Sequence, residues 1–492
     1  MLRVALVGTR GVPARYGGFE TAMEEVGRRL VARGHDVTVY CRNGNSGEAT
    51  DPDEHLGMRL VHLPALRHRS LETLSHTLLS ATHVAFSPHR YDAVIMCNGA
   101  NSVALPLFRA AGTPVAVNVD GLEWRRSKWG RTARRYYRAA EGLSVRWADA
   151  LVADARGIAD YYWWEFGAGT REIPYGAPDL SDTRTDRLAE LDLRPDGYHL
   201  VVARFEPENN VTFMIEGYLR SQARLPLVVV GSNPYPTEYA REVEHLAARS
   251  SHIRLLGGVW DQDLLDQLYK GALTYLHGHS VGGTNPSLLR AMGAATATVA
   301  YGCTFNREVA GEHGIFAATS DEVAVAITEA EEFPVAMRYR GAGLADRARE
   351  RYTWDAVTDA YEQLCYELAA GESQRTLFTG RRRRVAPGSE MPLHAATPTV
   401  VTTHARLGVS VAGLGAGRPT GLEPGAGRHR REEAVGAHRV DSYSMNPVEK
   451  AEHEEPGGLP TLDRLADRRV RPARPPVGHR AHGLPRATDR GA

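Results

Sequence analysis

The sequence predicts an α/β chain of two doubly wound, Rossmann-like parallel-sheet domains facing a cleft, followed by a long disordered tail. Three observations predict this. Apolar runs alternate with helical patterns through residues 1–178, and the alternation restarts after a polar linker. In each half a strand runs into a glycine loop and then a helix start. From about residue 375 the composition turns to Arg, Gly, Pro and His.

At 492 residues the chain exceeds one ordinary core and suits two or three domains. With 42% hydrophobic and 24% charged residues it belongs among soluble globular proteins. Formal net charge is zero, so no global basic field favours nucleic acid. Cys41, Cys97, Cys303 and Cys365 lie far apart without ligand-like spacing, and are expected as reduced, mostly buried thiols. No apolar run reaches the roughly 18–20 residues needed to span a bilayer. The opening MLRVALVGTRG is too short an apolar stretch for a signal peptide and is broken by Gly8 and Arg10, so the expected location is the cytoplasm.

In chain order, LRVALVG reads as a buried strand. Residues 19–33 form a helix with Ala22, Val26 and Leu30 on one face, ended by Gly34. DVTVYC, YDAVIMCNG, PVAVNVDG and ALVADA are further strands, continuous β-branched runs of the kind covered on both faces in parallel sheets. The first domain spans 1–178, and SDTRTDRLAELDLRPDGYH is the linker. YHLVVAR, LPLVVVG, IRLLGG, LTYLHG and ATATVAY build a second domain over 197–350, whose strand-end loops form the ligand edge of such folds. YTWDAVTDAYEQLCYELAAG, within 351–371, is a closing amphipathic helix. Residues 375–492 hold too little apolar surface to offset their ordering entropy.

Two loops carry anion chemistry. In YLHGHSVGGTNPSLLRAM, residues 275–292, a strand leads through Gly282, Gly283 and Thr284 to Pro286 at a helix start. Free backbone N–H groups reached through glycines form an anion site there. In GTRGVPARYGGFET, Gly17 and Gly18 open a helix in the same way. For one glycine pair an ordinary strand-to-helix loop is the plainer reading, but two such loops suggest a nucleotide diphosphate held between domains. A nicotinamide site fits poorly because GxGxxG is absent. In VVARFEPENN, Arg204 stands just past the first strand of the second domain, where a guanidinium neutralises a leaving diphosphate. The competing reading is a surface arginine paired with Glu206 or Glu208.

The segments GTRGVPARYGGFET, NVDGLEW, ARFEPENN and GHSVGGTNPSLLRAMGA, in this order over roughly residues 1–370, resemble the retaining glycosyltransferases of family 4. The likeness is to the bacterial group with a rhamnosyltransferase-type N-terminal domain. It implies a GT-B fold, with a last helix over 351–371 crossing back to the first domain. It also implies a nucleoside-diphosphate-sugar as donor substrate on the second domain, an acceptor on the first, and neither an essential metal nor a cofactor. By position, Gly17 and Gly18 face the donor phosphates, Arg204 the diphosphate, and Asp120 the reacting centre. Glu206, Asn210, Gly282, Gly283, Thr284, Asn285 and Arg290 fall at donor-binding positions. The sequence departs from the wider family at three places. Glu208-Asn209-Asn210 replaces a stretch with lysine after the arginine, and Gly282 and Arg290 stand where two glutamates eight apart are usual. An arginine has no acceptor to offer a ribose.

Asp51-Pro52-Asp53 matches a metal-binding DxD but sits in a polar loop that reads as a solvated turn. RRSKWGRTARRYYRAAEGLSVRW, residues 125–147, mixes basic and aromatic side chains on a helix. Either it meets an anionic membrane surface, with the protein peripheral on the inner face, or it packs its aromatics inward. His277 and His279 stand at a strand end in reach of a sugar. The expected function is transfer of a sugar with retention, from a nucleoside-diphosphate-sugar to a glycan or lipid-linked acceptor, in cell-surface polysaccharide synthesis. The alternatives are a donor-binding, catalytically weak homologue and a GT-B sugar-nucleotide epimerase.

Overall fold

The computed structural model describes residues 1–14, 17–44, 51–66, 71–119, 121–126, 129–232, 237–375 and 377–382. The first sheet holds β1 (Arg3–Val7), β2 (Asp36–Arg42), β3 (Glu54–His55), β4 (Met58–Leu63), β5 (Ala93–Cys97), β6 (Val115–Asn118), β7 (Ala150–Ala153) and β8 (Arg171–Glu172). Its order is β3-β4-β2-β1-β5-β6-β7-β8, parallel except for the β3–β4 pair. The second holds β9 (His199–Val202), β10 (Leu227–Val230), β11 (Ile253–Gly257), β12 (Thr274–His277), β13 (Ala297–Tyr301) and β14 (Ile315–Ala317). Its order is β11-β10-β9-β12-β13-β14, parallel throughout.

The helices of the first half are α1 (Gly18–Ala32), α2 (Glu72–Phe86), α3 (Leu105–Ala110), α4 (Arg131–Trp147) and α5 (Arg156–Phe166). Those of the second are α6 (Val211–Arg220), α7 (Glu238–Ala247), α8 (Gln262–Gly271), α9 (Pro286–Gly293), α10 (Thr304–Ala310), α11 (Ser320–Glu332), α12 (Pro334–Arg351) and α13 (Trp354–Ala369).

The continuous apolar runs became the central strands because both of their faces are covered. Val4 and Leu6 enter one cluster with Met23, Val26 and Leu30 of α1, while Ala5 and Val7 enter another on the opposite face. In the second sheet Val229 and Val228 divide in the same way. The short strands β3, β8 and β14 were not evident in the sequence. They lie at sheet edges, where pairing needs only two or three residues and little apolar surface. The segment read as a linker is pinned: Leu188 is buried in the second sheet's cluster, and the Arg187 N–H donates to Gln267 Oε1 at 2.9 Å.

Helix α13 returns to the first sheet. Arg29 of α1 meets Asp355 at 2.9 Å, Arg33 meets Asp359 at 2.7 Å, and the Asn118 amide donates to the Tyr361 hydroxyl at 3.1 Å. Leu288, Leu289 and Met292 of α9 share a cluster with Ile173, Tyr175 and Tyr361, so one apolar core spans both halves. In each sheet the strand order reverses beside the first strand, between β1 and β5 and between β9 and β12. Ligands of such folds bind at the carboxyl ends of strands at these switch points.

Candidate active site

Gly8 closes β1, and the chain re-enters helix at Gly17, whose φ of 115° is costly for any residue with a side chain. Among the described residues no side chain caps α1. The loop is tied to the helix it feeds, with the Arg10 N–H on Glu20 Oε1 at 3.0 Å and the Ala14 N–H on Glu24 Oε2 at 2.7 Å. At the second helix start the expected open amides are mostly used. Pro286 has no N–H, and Asn285 caps α9 by accepting from the Ser287 N–H at 3.0 Å and its hydroxyl at 2.7 Å. The open donors sit one step earlier. The N–H groups of Gly282, Gly283 and Thr284 have no partner among the described residues.

The two loops meet. A Cβ on Gly18 would lie 3.0 Å from Pro286 Cγ, and one on Gly121 would lie 2.7 Å from Gly282 Cα. One on Gly283 would fall 2.0 Å from Asp154 Oδ1. The hydroxyl of Thr284, itself buried, donates to the main-chain carbonyl of Asp154 at the end of β7. The carboxyl edges of the two sheets therefore face one another through backbone and glycine rather than through bulky side chains.

Arg204 leaves β9 with an exposed side chain, and its own carbonyl accepts from the Asn209 amide at 2.9 Å. Glu206 is half-buried and donates its N–H to that carbonyl at 2.8 Å. Asn210 has φ 46° and gives its amide to the Gly278 carbonyl at 2.8 Å. The Glu208 carbonyl accepts from the Ser280 N–H at 2.9 Å and its hydroxyl at 3.0 Å. The loops after β9 and β12 thus form one tied unit, with Asn210 as tie rather than free donor.

His277 and His279 stack at 4.5 Å between ring centres. Burial pushes His277 down to about 3, and its Nδ1 lies 3.2 Å from the Tyr275 hydroxyl. That hydroxyl donates to Ser287 Oγ at 2.9 Å, which joins the strand to the α9 cap. His279 is held well below its ordinary range by desolvation, with His277, Arg204 and Arg126 adding to the effect. Its Nδ1 has no partner among the described residues, so a neutral ring faces the arginine loop.

The guanidinium of Arg290, expected toward the donor, is paired with Asp266 of α8. Burial raises that carboxyl, and Arg290 acts against the rise. Asp120 lies outside the described residues. Asp154 and Gly121 were not singled out in the sequence. For Asp154 the one local signal is its place at the carboxyl end of a parallel strand, whereas the meeting of Gly121 with Gly282 needs the fold. Asp51 accepts the Gly44 N–H at 2.7 Å and lies 3.6 Å from His62 Nδ1. Tyr136 of α4 packs inward and donates to the Ala100 carbonyl at 2.6 Å. Among the described residues no three His, Cys, Asp or Glu converge on a metal position, and no helix is long and apolar enough to cross a membrane.

Two family profiles match this arrangement. Residues 17–176 match "Glycosyl transferase 4-like domain" and residues 197–331 match "Glycosyl transferases group 1". The chain belongs to glycosyltransferase family 4. Over 142 residues it is 28% identical to O-antigen chain mannosyltransferase B of Escherichia coli. That match covers 28% of this chain and 37% of that protein, so the chain spans well under half of the relative's length. Among solved structures, sucrose-phosphate synthase of Thermosynechococcus elongatus superposes with TM-score 0.63 at 20% identity, covering 75% of this chain and all of that one. Anabaena HepE in complex with UDP-glucose superposes at 0.59 with 15% identity, covering 74% and 100%. These likenesses establish the GT-B fold of this family 4 glycosyltransferase.

Proposed function

We propose that the cleft transfers a sugar, with retention, from a nucleoside-diphosphate-sugar held by residues 197–350 to a glycan or lipid-linked acceptor held by residues 1–178. The observation that carries this is the meeting of the two glycine loops. The start of α1 lies against Pro286 at the start of α9, the partnerless amides of Gly282, Gly283 and Thr284 stand just before Pro286, and Arg204 sits on the loop tied to theirs. Amide dipoles and a guanidinium aimed at one point stabilise a departing diphosphate without rearrangement.

In this reaction the bond from the anomeric carbon to the diphosphate oxygen breaks, and its electron pair leaves on that oxygen. The acceptor oxygen bonds to the same carbon, and its proton passes to the departing diphosphate. No metal or cofactor enters. Arg204 neutralises the charge as it grows. The neutral His279 offers a hydrogen bond to a sugar hydroxyl, and Asp120 orients the acceptor or donor. HepE, in complex with UDP-glucose, and the Escherichia coli trehalose-6-phosphate protein, bound with UDP-2-fluoro glucose, support a nucleotide sugar as donor. The mannosyltransferase relative supports a hexose and a place in surface polysaccharide synthesis. In this reading the protein works in the cytoplasm, meeting the inner membrane face where its acceptor is presented.

A thermal-shift screen of UDP-, GDP- and dTDP-sugars, followed by release of nucleoside diphosphate with and without cell-envelope glycolipids, tests the reading. One donor should raise Tm, and acceptor should accelerate its turnover. Turnover to an epimer without acceptor would replace transfer with the epimerase reading.

A further inference from the structure

Beside the glycine loops lies a cavity of about 800 Å³ between the two halves. One wall is α4, from which Arg131, Arg134, Arg135 and Arg138 enter the lining. Their spacing of three and four places them on one helix face. Arg125 joins them, and the opposite wall comes from Ser280, Gly282 and Cys303 of the second half. Among the described residues the lining contains no acidic side chain. Arg131, Arg134 and Arg135 are exposed and have no carboxylate partner among the described residues. Arg29 and Arg33 of α1, by contrast, are paired with the acids of α13. Arg125 and Arg138 lie over the Trp124 ring at 5.2 and 4.9 Å, and the buried indole N–H of Trp124 has no acceptor among the described residues. Five like charges turned into one cavity repel each other unless an anion enters. Planar guanidinium forks match phosphate oxygens two at a time.

We propose that this cavity receives the acceptor, and that the acceptor carries a phosphate or diphosphate ester gripped by Arg131, Arg134, Arg135 and Arg138. The inference rests on the transfer reaction proposed above and adds the chemical class of its second substrate. Gly282 belongs both to this cavity and to the loop whose amides face the donor, which brings an acceptor hydroxyl beside the sugar. The ester is either that of a soluble sugar phosphate or that of a polyprenyl diphosphate carrier.

The test compares the full chain with R134A/R135A, two exposed positions whose loss leaves the core untouched, and with R204A. Inorganic pyrophosphate is titrated into each by calorimetry, as are UDP, GDP and dTDP. The expectation is that R134A/R135A weakens pyrophosphate binding by about tenfold or more while nucleotide affinity changes by less than about twofold. Equal pyrophosphate binding by the full chain and R134A/R135A overturns the inference, whatever the nucleotides do. If no nucleotide binds any variant while pyrophosphate still depends on Arg134 and Arg135, the anion site stands and the transfer reading falls. Competition by glucose 1-phosphate identifies a soluble source. Capture on phosphatidylcholine vesicles containing a polyprenyl diphosphate, reversed by pyrophosphate, identifies the lipid carrier. Equal capture on phosphatidylglycerol vesicles that pyrophosphate does not reverse means a membrane-surface patch and overturns the proposal.

Discussion

The guanidinium of Arg290 is paired with the carboxylate of Asp266, linking α9 to α8 one turn in from the glycine loop. Both side chains are about four-fifths buried, so removing either leaves a charge with poor hydration. R290A and D266N should each lower unfolding free energy by about 2 kcal/mol, and R290E, which sets two carboxylates together, by more. The charge-reversed pair R290E/D266R should recover part of the loss. Urea unfolding of the four variants measures this. Tenfold tighter nucleotide binding by R290E would instead mean that position 290 faces the ribose.

Gly283 is where the second half touches Asp154. A methyl group there would stand 2.0 Å from Asp154 Oδ1, so the Asp154 carboxylate or the loop itself must shift to admit it. G283A should displace the loop that carries the open amides and the Thr284 link to β7. Sugar transfer should fall by about tenfold or more, because misplaced donors lose their effect on the transition state. Steady-state turnover of G283A, with circular dichroism to verify folding, checks this.

Acid should unfold the protein earlier than its carboxylates alone would require. His76 is fully buried with its Nε2 3.0 Å from the Cys41 carbonyl, and burial holds it down at about 4. His277 lies at about 3. Above pH 6.5 both rings are neutral folded and unfolded, so they leave stability independent of pH. As pH falls below 6.5 the unfolded chain gains protons that the folded chain refuses. Stability then drops by about 1.4 kcal/mol per pH unit for each ring until the folded value is reached. The raised carboxyls of Glu141, Asp266 and Glu308 oppose part of this. Replacing His76 with Asn should flatten the slope between pH 6.5 and 4, and chemical denaturation across that range measures the difference.

Two truncations should behave differently. Arg382 pairs with Glu141 and Glu165 and donates to the Tyr161 hydroxyl at 2.8 Å, while the Ser373 hydroxyl donates to Asp149 at 2.6 Å. Glu141 is buried, so a chain ending at residue 372 leaves it with the Tyr161 hydroxyl but without its guanidinium, at a cost of about 3 kcal/mol. Ending the chain after Arg382 keeps all of these contacts and should leave Tm unchanged. Scanning calorimetry of the two truncations decides between them.

What was legible in the sequence was mostly local. Valine and isoleucine runs between helical periods announced both sheets, and Gly34 stands at the end of α1 with φ 86°. Pro286 announced the start of α9, yet Asn285 turned out to cap it, so the open amides moved to Gly282, Gly283 and Thr284. The rest depended on contacts between distant residues. Asp154 and Thr284 are 130 positions apart, and Asp266 lies 24 positions before Arg290. No periodicity encodes such pairings. The arginines of α4 were visible as a basic helix, but only the opposite wall from the second half turns them into a cavity.

The central claim is that the meeting loops hold a nucleoside diphosphate against Arg204. Calorimetric titration of UDP, GDP and dTDP into the full chain and into R204A tests it most directly. One of the three should bind the full chain with a micromolar dissociation constant, and R204A should weaken that binding by about tenfold or more. Binding of none of them, or binding indifferent to R204A, would contradict the account.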